Sequence, residues 1–305
     1  MNLITRIAGI IPAAVIWTTA ALASDGPLVS SEWLEANLQS KNVRVIEVSV
    51  NPGVYERGHI PGAANFVWHT DLVDTVRRDI ASKDKLETLL RKAGVNEDDT
   101  IVLYGDTNNW FAAWGAWVLE VYGVKNVKLL DGGRKFWEAG GRQLSVSPVA
   151  LAAGNIALKD ANPALRAHLG DVVAASEAGS HAIVDIRSPD EFSGKVIAPE
   201  GFKETAVRAG HVTGAVNVPW GKAVQEDGRF KPVEQLRELY KAAGIDGSKP
   251  VITYCRIGER SSHTWFALSK LLGYEVRNYD GSWTEYGNSV GVPVTNLAGT
   301  VWTGQ

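Results

Sequence analysis

A single cysteine, Cys255, is the strongest candidate for chemistry in this sequence. It follows an apolar run at residues 250–254 and precedes a short loop and a helical pattern that opens at Ser261 and Ser262. The backbone N–H groups of such a loop can surround an anion, and a helix amino terminus adds a partial positive charge. Both effects favour a thiolate, so the pattern predicts a nucleophilic cysteine with a lowered thiol pKa.

The loop at residues 255–260 reads CRIGER and supplies the other candidate groups. We expect Arg256 and Arg260 to bind an anionic substrate, because guanidinium groups hold oxyanions through paired hydrogen bonds. The backbone amides expected to form the anion nest belong to Ile257, Gly258, Glu259 and Ser261. The alternative is a packed cysteine beside two solvated arginines, and that arrangement does not need a glycine loop or a helix start.

Length and composition restrict the class of protein. The chain has 305 residues, of which 45% are hydrophobic and 21% charged, and its formal net charge is −3. These values fit one large or two ordinary globular domains and exclude a disordered chain or a multi-span membrane protein. The chain has no basic excess for phosphate contacts, so we expect no nucleic-acid partner. One cysteine cannot form an intrachain disulfide or a multi-thiolate metal site, and we expect neither metal nor cofactor.

Residues 1–23 have the pattern of a secretory signal peptide. Arg6 precedes an uncharged run that ends in Ala21-Leu22-Ala23, the small-x-small pattern of a cleavage site. The run is short for a membrane span and contains Pro12. We therefore expect cleavage after Ala23, a periplasmic or secreted protein, and no stable membrane association after cleavage. An uncleaved anchor is the alternative.

The rest of the chain is a tandem repeat. The motif around His59 recurs around His211, and a strand ends 46 residues later at Gly105 in the first copy and 44 residues later at Cys255 in the second. The first copy has glycine in place of cysteine and lacks both loop arginines, which predicts one active copy and one scaffold copy. The histidines occur in both copies, which indicates a structural role. About 14 extra residues in the second copy, centred on 195–208, are interpreted as a lid or binding loop.

Short β-branched runs alternate with helical patterns in both copies. The strand-like runs lie at 43–48, 100–105, 181–186 and 250–255, and the helical patterns at 30–39, 83–93, 110–122, 232–243 and 261–272. This alternation predicts α/β domains, each with a mostly parallel sheet and helices on both faces. We expect an N-terminal domain at 24–144, a linker at 145–164 and a C-terminal domain at 165–305.

Three further polar residues have weaker patterns. His263 falls in the first turn of the helix after the cysteine, where it either packs or donates a proton. Asp131 and Asp280 occur at matching positions of the two copies, and we expect them to tie loops together near the active face.

The chain resembles the tandem-domain rhodanese family of thiosulfate and 3-mercaptopyruvate sulfurtransferases. The resemblance rests on residues 55–63 (YERGHIPGA), the cysteine loop and residues 276–286 (VRNYDGSWTEY), and it extends over about residues 27–295. It implies two rhodanese-like domains, the first inactive, and transfer of sulfane sulfur through a persulfide on Cys255. Thiosulfate is the implied donor and cyanide or a thiol the acceptor. The alternatives are 3-mercaptopyruvate as donor and, in a different class, a non-catalytic persulfide carrier.

Two positions depart from the thiosulfate enzymes of that family. Ile257 stands where a lysine is expected, and Glu191 stands where vertebrate-type enzymes carry a substrate arginine. Arg187 and Arg208 are then the remaining cationic candidates of the second domain, and we assign substrate contact to Arg187. A cysteine phosphatase would need one more residue between the cysteine and its closing arginine than Arg260 allows.

Overall fold

The computed structural model describes residues 26–199, 201 and 206–301. The signal peptide expected at residues 1–23 lies outside the described residues and stays a prediction. Within the described part of the chain, no helix has the length and apolar character needed to cross a membrane.

The first half is built on a five-stranded parallel sheet. The strands of this half are β1 (Leu28–Val29), β2 (Val43–Glu47), β3 (Ala64–Asn65), β4 (Val73–Asp74), β5 (Asp79–Ile80), β6 (Thr100–Tyr104) and β7 (Val127–Leu130). Its helices are α1 (Ser31–Asn37), α2 (Val54–Arg57), α3 (Trp68–Asp71), α4 (Lys83–Lys92), α5 (Trp110–Val121) and α6 (Gly133–Ala139). The sheet order is β1-β7-β6-β2-β3, and β4 and β5 form a separate antiparallel hairpin.

The second half is built on a four-stranded parallel sheet. The strands of this half are β8 (Ala182–Asp185), β9 (His211–Val212), β10 (Val216–Asn217), β11 (Val251–Tyr254), β12 (Val276–Asn278) and β13 (Val294–Thr295). Its helices are α7 (Leu169–Ala178), α8 (Pro189–Ser193), α9 (Val233–Ala242), α10 (Glu259–Trp265), which continues as a π-helix (Phe266–Leu271), and α11 (Ser282–Tyr286). The sheet order is β10-β8-β11-β12, and β9 pairs with β13 in an antiparallel ladder. The predicted α/β class with mostly parallel sheets is confirmed.

The two halves share one hydrophobic core. Helix α5 is buried around nearly its whole circumference, which is typical of a helix enclosed on all sides. It packs against α10 of the second half as well as against its own sheet. Trp114 and Trp117 of α5 therefore belong to the same buried cluster as Trp265 and Phe266 after the cysteine loop. The first half thus supports the helix that follows Cys255.

The segment at 145–164 packs on the first half. Its residues Ile156 and Leu158 are buried, and the Ile156 N–H donates to the Val95 carbonyl at 3.2 Å. The Gly154 N–H donates to the Arg91 carbonyl at 2.8 Å. The described backbone of this segment is thus fixed by hydrogen bonds, while the domain limits at 144 and 165 stay a prediction.

The first half contains a buried carboxylate that binds a tyrosine and an arginine. Glu47 accepts hydrogen bonds from the Tyr104 hydroxyl and from Arg134 Nη1, the latter at 2.9 Å. The Arg134 guanidinium also donates to the Gly58 carbonyl, and the Ile60 N–H donates to the Tyr104 hydroxyl at 2.8 Å. The network ties the end of β2 to the turn before β3.

The second half repeats this network with an arginine from another position. Asp185 accepts from the Tyr254 hydroxyl and from Arg187 Nη2, both at 2.6 Å. Arg187 also donates to the Gly210 carbonyl at 2.7 Å, and the Val212 N–H donates to the Tyr254 hydroxyl at 3.1 Å. Both halves therefore bury a charged pair at the same place in the fold.

The arginines of the two networks have exchanged positions. In the repeat, Arg187 corresponds to Ser49, whose hydroxyl donates to Glu47 at 2.6 Å. Arg134 corresponds to Trp283, whose ring lies under the Arg187 guanidinium at 4.6 Å. Each half thus fills the second position with a residue that contacts its own buried pair.

Candidate active site

Cys255 follows β11 at the carboxyl edge of the second sheet, and its side chain is buried. Its Sγ accepts a hydrogen bond from the Gly258 N–H at 3.0 Å and lies 3.6 Å from Glu259 Oε2. The Ser261 N–H also favours negative charge on the sulfur. Of the four amides predicted for the anion nest, Gly258 donates a hydrogen bond to the sulfur and Ser261 acts on it electrostatically.

The loop that follows Cys255 is shorter than predicted. Helix α10 begins at Glu259 rather than at Ser261, so the loop is residues 256–258. Gly258 has a φ of +100°, and a Cβ there would lie 2.6 Å from Trp114 Cζ3 and 2.8 Å from the Asp280 Cα. Glycine is required at this position because both the backbone conformation and the space exclude a side chain.

The two serines that marked the predicted helix start anchor α10 instead. The Ser261 hydroxyl lies 2.7 Å from Asn278 Oδ1, and Asn278 Nδ2 donates to the Ser262 hydroxyl at 2.9 Å. Both serine hydroxyls also lie within 2.9 Å of the Gly258 carbonyl. Asn278 on the neighbouring strand β12 thereby fixes the start of the helix and, with it, the cysteine loop.

Ser282 holds the base of the loop, and the sequence analysis did not single it out. Its hydroxyl accepts a hydrogen bond from the Cys255 N–H at 3.0 Å and donates to the Tyr279 carbonyl at 2.8 Å. Its φ is +51°, which is strained for a residue with a side chain. The repeat carried the signal, since the corresponding residue of the first half is Gly133, with a φ of +56°.

Two carboxylates share the charge of Arg260. Its Nη2 lies 3.6 Å from Glu191 Oε1 and its Nε lies 3.8 Å from Glu259 Oε1. The guanidinium also lies over the Trp110 ring of the first half, 6.0 Å from the ring centre. Arg256 is half-buried in the loop itself. The arginines predicted to bind substrate therefore lie beside the cysteine, but the charge of Arg260 is partly balanced.

The thiol pKa of Cys255 is raised, contrary to the predicted lowering. Burial is the largest cause, and the negative charge of Glu259 adds to it. Arg260 and the N–H groups of Ser261 and Gly258 act in the opposite direction and offset only part of the effect. The prediction counted the hydrogen-bond donors around the sulfur but could not count its loss of water or its acidic neighbour.

The two remaining cationic candidates of the second domain, Arg187 and Arg208, have structural roles. Arg187 is buried in its pair with Asp185, so the structure replaces its predicted substrate contact with a place in the core. Arg208 Nε donates to the Gly287 carbonyl at 3.0 Å, and its Nη2 donates to the Tyr286 carbonyl at 2.9 Å. Arg208 thereby fastens the end of the 195–208 insertion to the residues after α11.

The repeated histidines are structural, as predicted. His59 stacks on Tyr55 at 4.0 Å between ring centres, and its Nδ1 lies 3.2 Å from the Tyr55 carbonyl. His211 stacks on Phe192 at 3.6 Å, and its Nδ1 lies 2.7 Å from the Phe192 carbonyl. Each ring thus closes the turn after its own short helix.

His263 packs rather than donating a proton. Its ring is buried and stacks on Phe230 at 4.3 Å. Burial lowers the pKa of His263 to about 3, so the ring is neutral at physiological pH. A neutral, enclosed imidazole is a core residue of α10.

The two repeated aspartates tie segments together, as expected. Asp280 accepts two hydrogen bonds of 2.8 Å from Arg166, and Arg166 Nη1 lies 2.7 Å from Asp79 on β5. Asp131 accepts a hydrogen bond from the Phe230 N–H of the other half at 2.9 Å. The turn that carries Ser282 is therefore fastened to the first half through Arg166.

A cleft of about 410 Å³ lies between the halves beside the cysteine loop. Its lining includes Trp68 and Trp114 from the first half, and Ile257, Tyr279 and Thr284 from the second. Cys255 itself is not in the lining. The cleft therefore reaches the loop at Ile257 rather than at the sulfur.

The first half has no space for an equivalent nucleophile. A Cβ on Gly105, which corresponds to Cys255, would lie 2.2 Å from the Val48 carbonyl oxygen. The Asn109 side chain, at the position of Glu259, accepts a hydrogen bond from the Gly105 N–H at 2.9 Å. The backbone has closed over the place that the sulfur occupies in the second half.

Known proteins share this sequence and architecture. The model of the rhodanese-like domain matches residues 30–140 and 169–289. A Mycolicibacterium smegmatis protein named "Putative thiosulfate sulfurtransferase" is 49% identical over 275 residues, which are 90% of this chain and 99% of that protein. A Thermus thermophilus protein named "Sulfur carrier protein TtuD" is 45% identical over 272 residues, 88% of this chain and 95% of that protein.

Solved structures extend the similarity to three dimensions. The structure of the Escherichia coli 3-mercaptopyruvate sulfurtransferase SseA superposes with a TM-score of 0.73 at 28% sequence identity. The alignment covers 85% of this chain and 99% of SseA.

Proposed function

Because the chain belongs to the rhodanese family, whose domain matches it twice, we propose that it transfers sulfane sulfur from thiosulfate to a thiol or cyanide through a persulfide on Cys255. The observation that supports this proposal best is the contact of the Gly258 N–H with the sulfur of the sole cysteine, 3.0 Å away. That contact, together with Arg256 and Arg260 nearby, stabilises negative charge on the reacting sulfur.

The reaction is a double displacement. The Cys255 thiolate attacks the outer sulfur of thiosulfate, the S–S bond of thiosulfate breaks, and sulfite leaves with the electron pair. The acceptor then attacks the outer sulfur of the persulfide, the new S–S bond breaks, and the Cys255 thiolate is restored. Arg256 and Arg260 are proposed to hold the sulfonate oxygens of the donor.

Two alternatives each have a specific observation in their favour. The similarity to SseA, together with the balanced charge of Arg260, favours the monoanionic donor 3-mercaptopyruvate over a dianion. The similarity to a protein named as a sulfur carrier favours a non-catalytic carrier that keeps Cys255 but does not turn over. Thiosulfate stays the preferred donor because several relatives at 46–50% identity are named after that activity.

The deciding experiment is the intact mass of the purified protein before and after thiosulfate. We expect a gain of one sulfur atom that is lost with cyanide and absent in Cys255→Ser. If the wild-type protein takes up no sulfur from thiosulfate but does so from 3-mercaptopyruvate, the donor assignment is wrong. Uptake without repeated turnover on free acceptors would establish the carrier.

The same spectrum tests the proposed export. Cleavage after Ala23 predicts that protein recovered from the exported fraction lacks residues 1–23. Protein that retains these residues and stays with the membrane would establish the anchor instead. The interpretation of 195–208 as a lid or binding loop also stays a prediction.

A further inference from the structure

A buried carboxylate lies beside the nucleophile. Glu259 Oε2 is 3.6 Å from the Cys255 sulfur, and the residue is only 4% exposed. Its other oxygen, Oε1, lies 3.8 Å from Arg260 Nε. One carboxylate oxygen therefore faces the reacting atom, while the other is oriented by a guanidinium.

This placement is unfavourable for the first half-reaction. A negative charge near the sulfur opposes thiolate formation and repels an anionic donor. The first half of the molecule has Asn109 at the corresponding position, which fits the same space and hydrogen-bonds backbone only. The carboxylate of Glu259 therefore needs a function that the amide of an asparagine could not perform.

The second half-reaction has such a use. An ordinary thiol has a pKa of about 8.5, so a thiol acceptor arrives mostly protonated at neutral pH. It must lose that proton to attack the persulfide, and the Cys255 thiolate that leaves is stabilised by gaining one. The sulfite dianion attacks without losing a proton.

We propose that Glu259 is a catalytic residue that carries this proton when the persulfide is discharged to a thiol. The inference rests on the proposed persulfide chemistry. The Glu259 carboxylate takes the proton of the acceptor thiol, and the resulting thiolate attacks the outer sulfur of Cys255–S–S⁻. The persulfide S–S bond breaks with its electron pair on Cys255 Sγ, and protonated Glu259 returns the proton to that sulfur. The sum is RSH + Cys–S–S⁻ → RS–S⁻ + Cys–SH, which balances in atoms and charge.

The charged groups around Glu259 fit this role. Cys255 and Arg260 face it from its own segment, and Glu191 of α8 lies on the far side of Arg260 at 3.6 Å. Arg187 acts on Arg260 at longer range from the end of β8. Glu191 serves as a matched control because it touches the same guanidinium but accepts hydrogen bonds from Ser188 rather than facing the sulfur.

The test separates acceptors that carry a proton from those that do not. Persulfide-loaded protein is mixed with 2-mercaptoethanol or with sulfite, and loss of one sulfur is followed by quenched intact mass. Glu259→Gln should slow discharge to the thiol by about 10²-fold or more, whereas discharge to sulfite should not slow, because sulfite has no proton to lose and the variant also removes a repulsive charge. Glu191→Gln should change the two rates by a similar factor. In Glu259→Gln, the thiol rate should rise with pH up to the pKa of 2-mercaptoethanol, because only free thiolate then reacts.

A second variant, Glu259→Ala, tests the role of Glu259 independently of Glu259→Gln. When formate is added as a diffusible base, discharge of Glu259→Ala to the thiol should speed up. Formate should have no effect on its discharge to sulfite. Equal slowing of both acceptors by Glu259→Gln, or slowing of neither, overturns the role of Glu259. A wild-type protein that takes up no sulfur, or never discharges it, overturns the persulfide chemistry itself and is recognised before any variant is made.

Discussion

Arg260 and Trp110 occupy corresponding positions of the two halves and face each other, with the guanidinium carbon 6.0 Å from the indole ring centre. Each lies at the start of the helix after a central strand, β6 in the first half and β11 in the second. The pseudo-symmetric packing of α5 on α10 brings the two positions together. The first half therefore contributes an aromatic wall to the Cys255 loop although it has glycine at the position of that cysteine.

Two variants can check the direction in which each neighbouring charge shifts the thiol pKa of Cys255. The rate at which iodoacetamide alkylates Cys255 should rise with pH through a pKa above the ordinary thiol range, chiefly because the sulfur is buried. Glu259→Gln removes a charge that raises the pKa and should shift the profile to lower pH. Arg260→Met removes a charge that lowers it and should shift the profile to higher pH. Shifts in the same direction would contradict the assignment.

Arg256 should matter for the donor and little for the thiol itself. Arg256→Ala should raise the KM for thiosulfate about tenfold, the loss of about one charge-assisted hydrogen bond. Cys255 should remain open to alkylation, since its bonds to Gly258 and Ser282 are intact. Steady-state kinetics at several thiosulfate concentrations measure the effect, and an unchanged KM would show that Arg256 does not hold the donor.

The first half should not tolerate a side chain at the position of the nucleophile. A Cβ on Gly105 would lie 2.2 Å from the Val48 carbonyl oxygen, so Gly105→Ala should lower the free energy of unfolding by about 3 kcal/mol. Gly170→Ala is the matched control, because nothing lies within 4 Å of its Cβ position on α7. Urea unfolding of both variants measures the difference, and equal stability would disprove the close approach.

Arg166 should stabilise the contact between the halves. It lies between Asp79 and Asp280, at 2.7 and 2.8 Å, and Arg166→Met leaves two partly buried carboxylates without their partner. We expect a loss of about 3 kcal/mol in the free energy of unfolding. Arg237→Ala, which removes an exposed pair with Glu234, should cost under about 1 kcal/mol. A loss no larger than that of the control would contradict the bridge.

His263 should make the protein less stable in mild acid. Its folded pKa of about 3 lies below the unfolded value of about 6.5, so the unfolded state binds the extra proton between these limits. Stability is therefore complete above about pH 6.5 and falls as the pH decreases, by about 2 kcal/mol at pH 5. His263→Phe should lose less stability between pH 7 and pH 5 in urea unfolding. An identical loss in both proteins would assign the acid sensitivity to other groups.

The periodic and repeated parts of the fold were predictable from sequence. The alternation of apolar strands with amphipathic helices predicted both parallel sheets, and the repeat placed the lone cysteine directly after β11. The comparison of the two copies also indicated that Gly105 stands at the position of Cys255. These features depend on local pattern and spacing, which the sequence displays directly.

The electrostatics of the site were not predictable in this way. The orientation of Glu259 toward the sulfur and the depth of burial decide the thiol pKa, and both depend on how α10 packs on α5. Arg187 was assigned to substrate as a remaining cationic candidate, and nothing in the sequence showed that its side chain turns inward to pair with Asp185. Side-chain direction at the end of a strand is decided by tertiary packing.

The exchanged arginines of the two cores make the halves non-interchangeable. A chimera in which β8 and the turn after it replace the first-half segment at β2 would place two guanidinium groups, Arg187 and Arg134, around one carboxylate. The reverse chimera would place Glu47 and Ser49 beside Trp283, hence a buried carboxylate with no cation. Each half thus pairs its buried carboxylate with an arginine from a different position. Recombination between the two copies would therefore disrupt the core of the half that received the foreign segment.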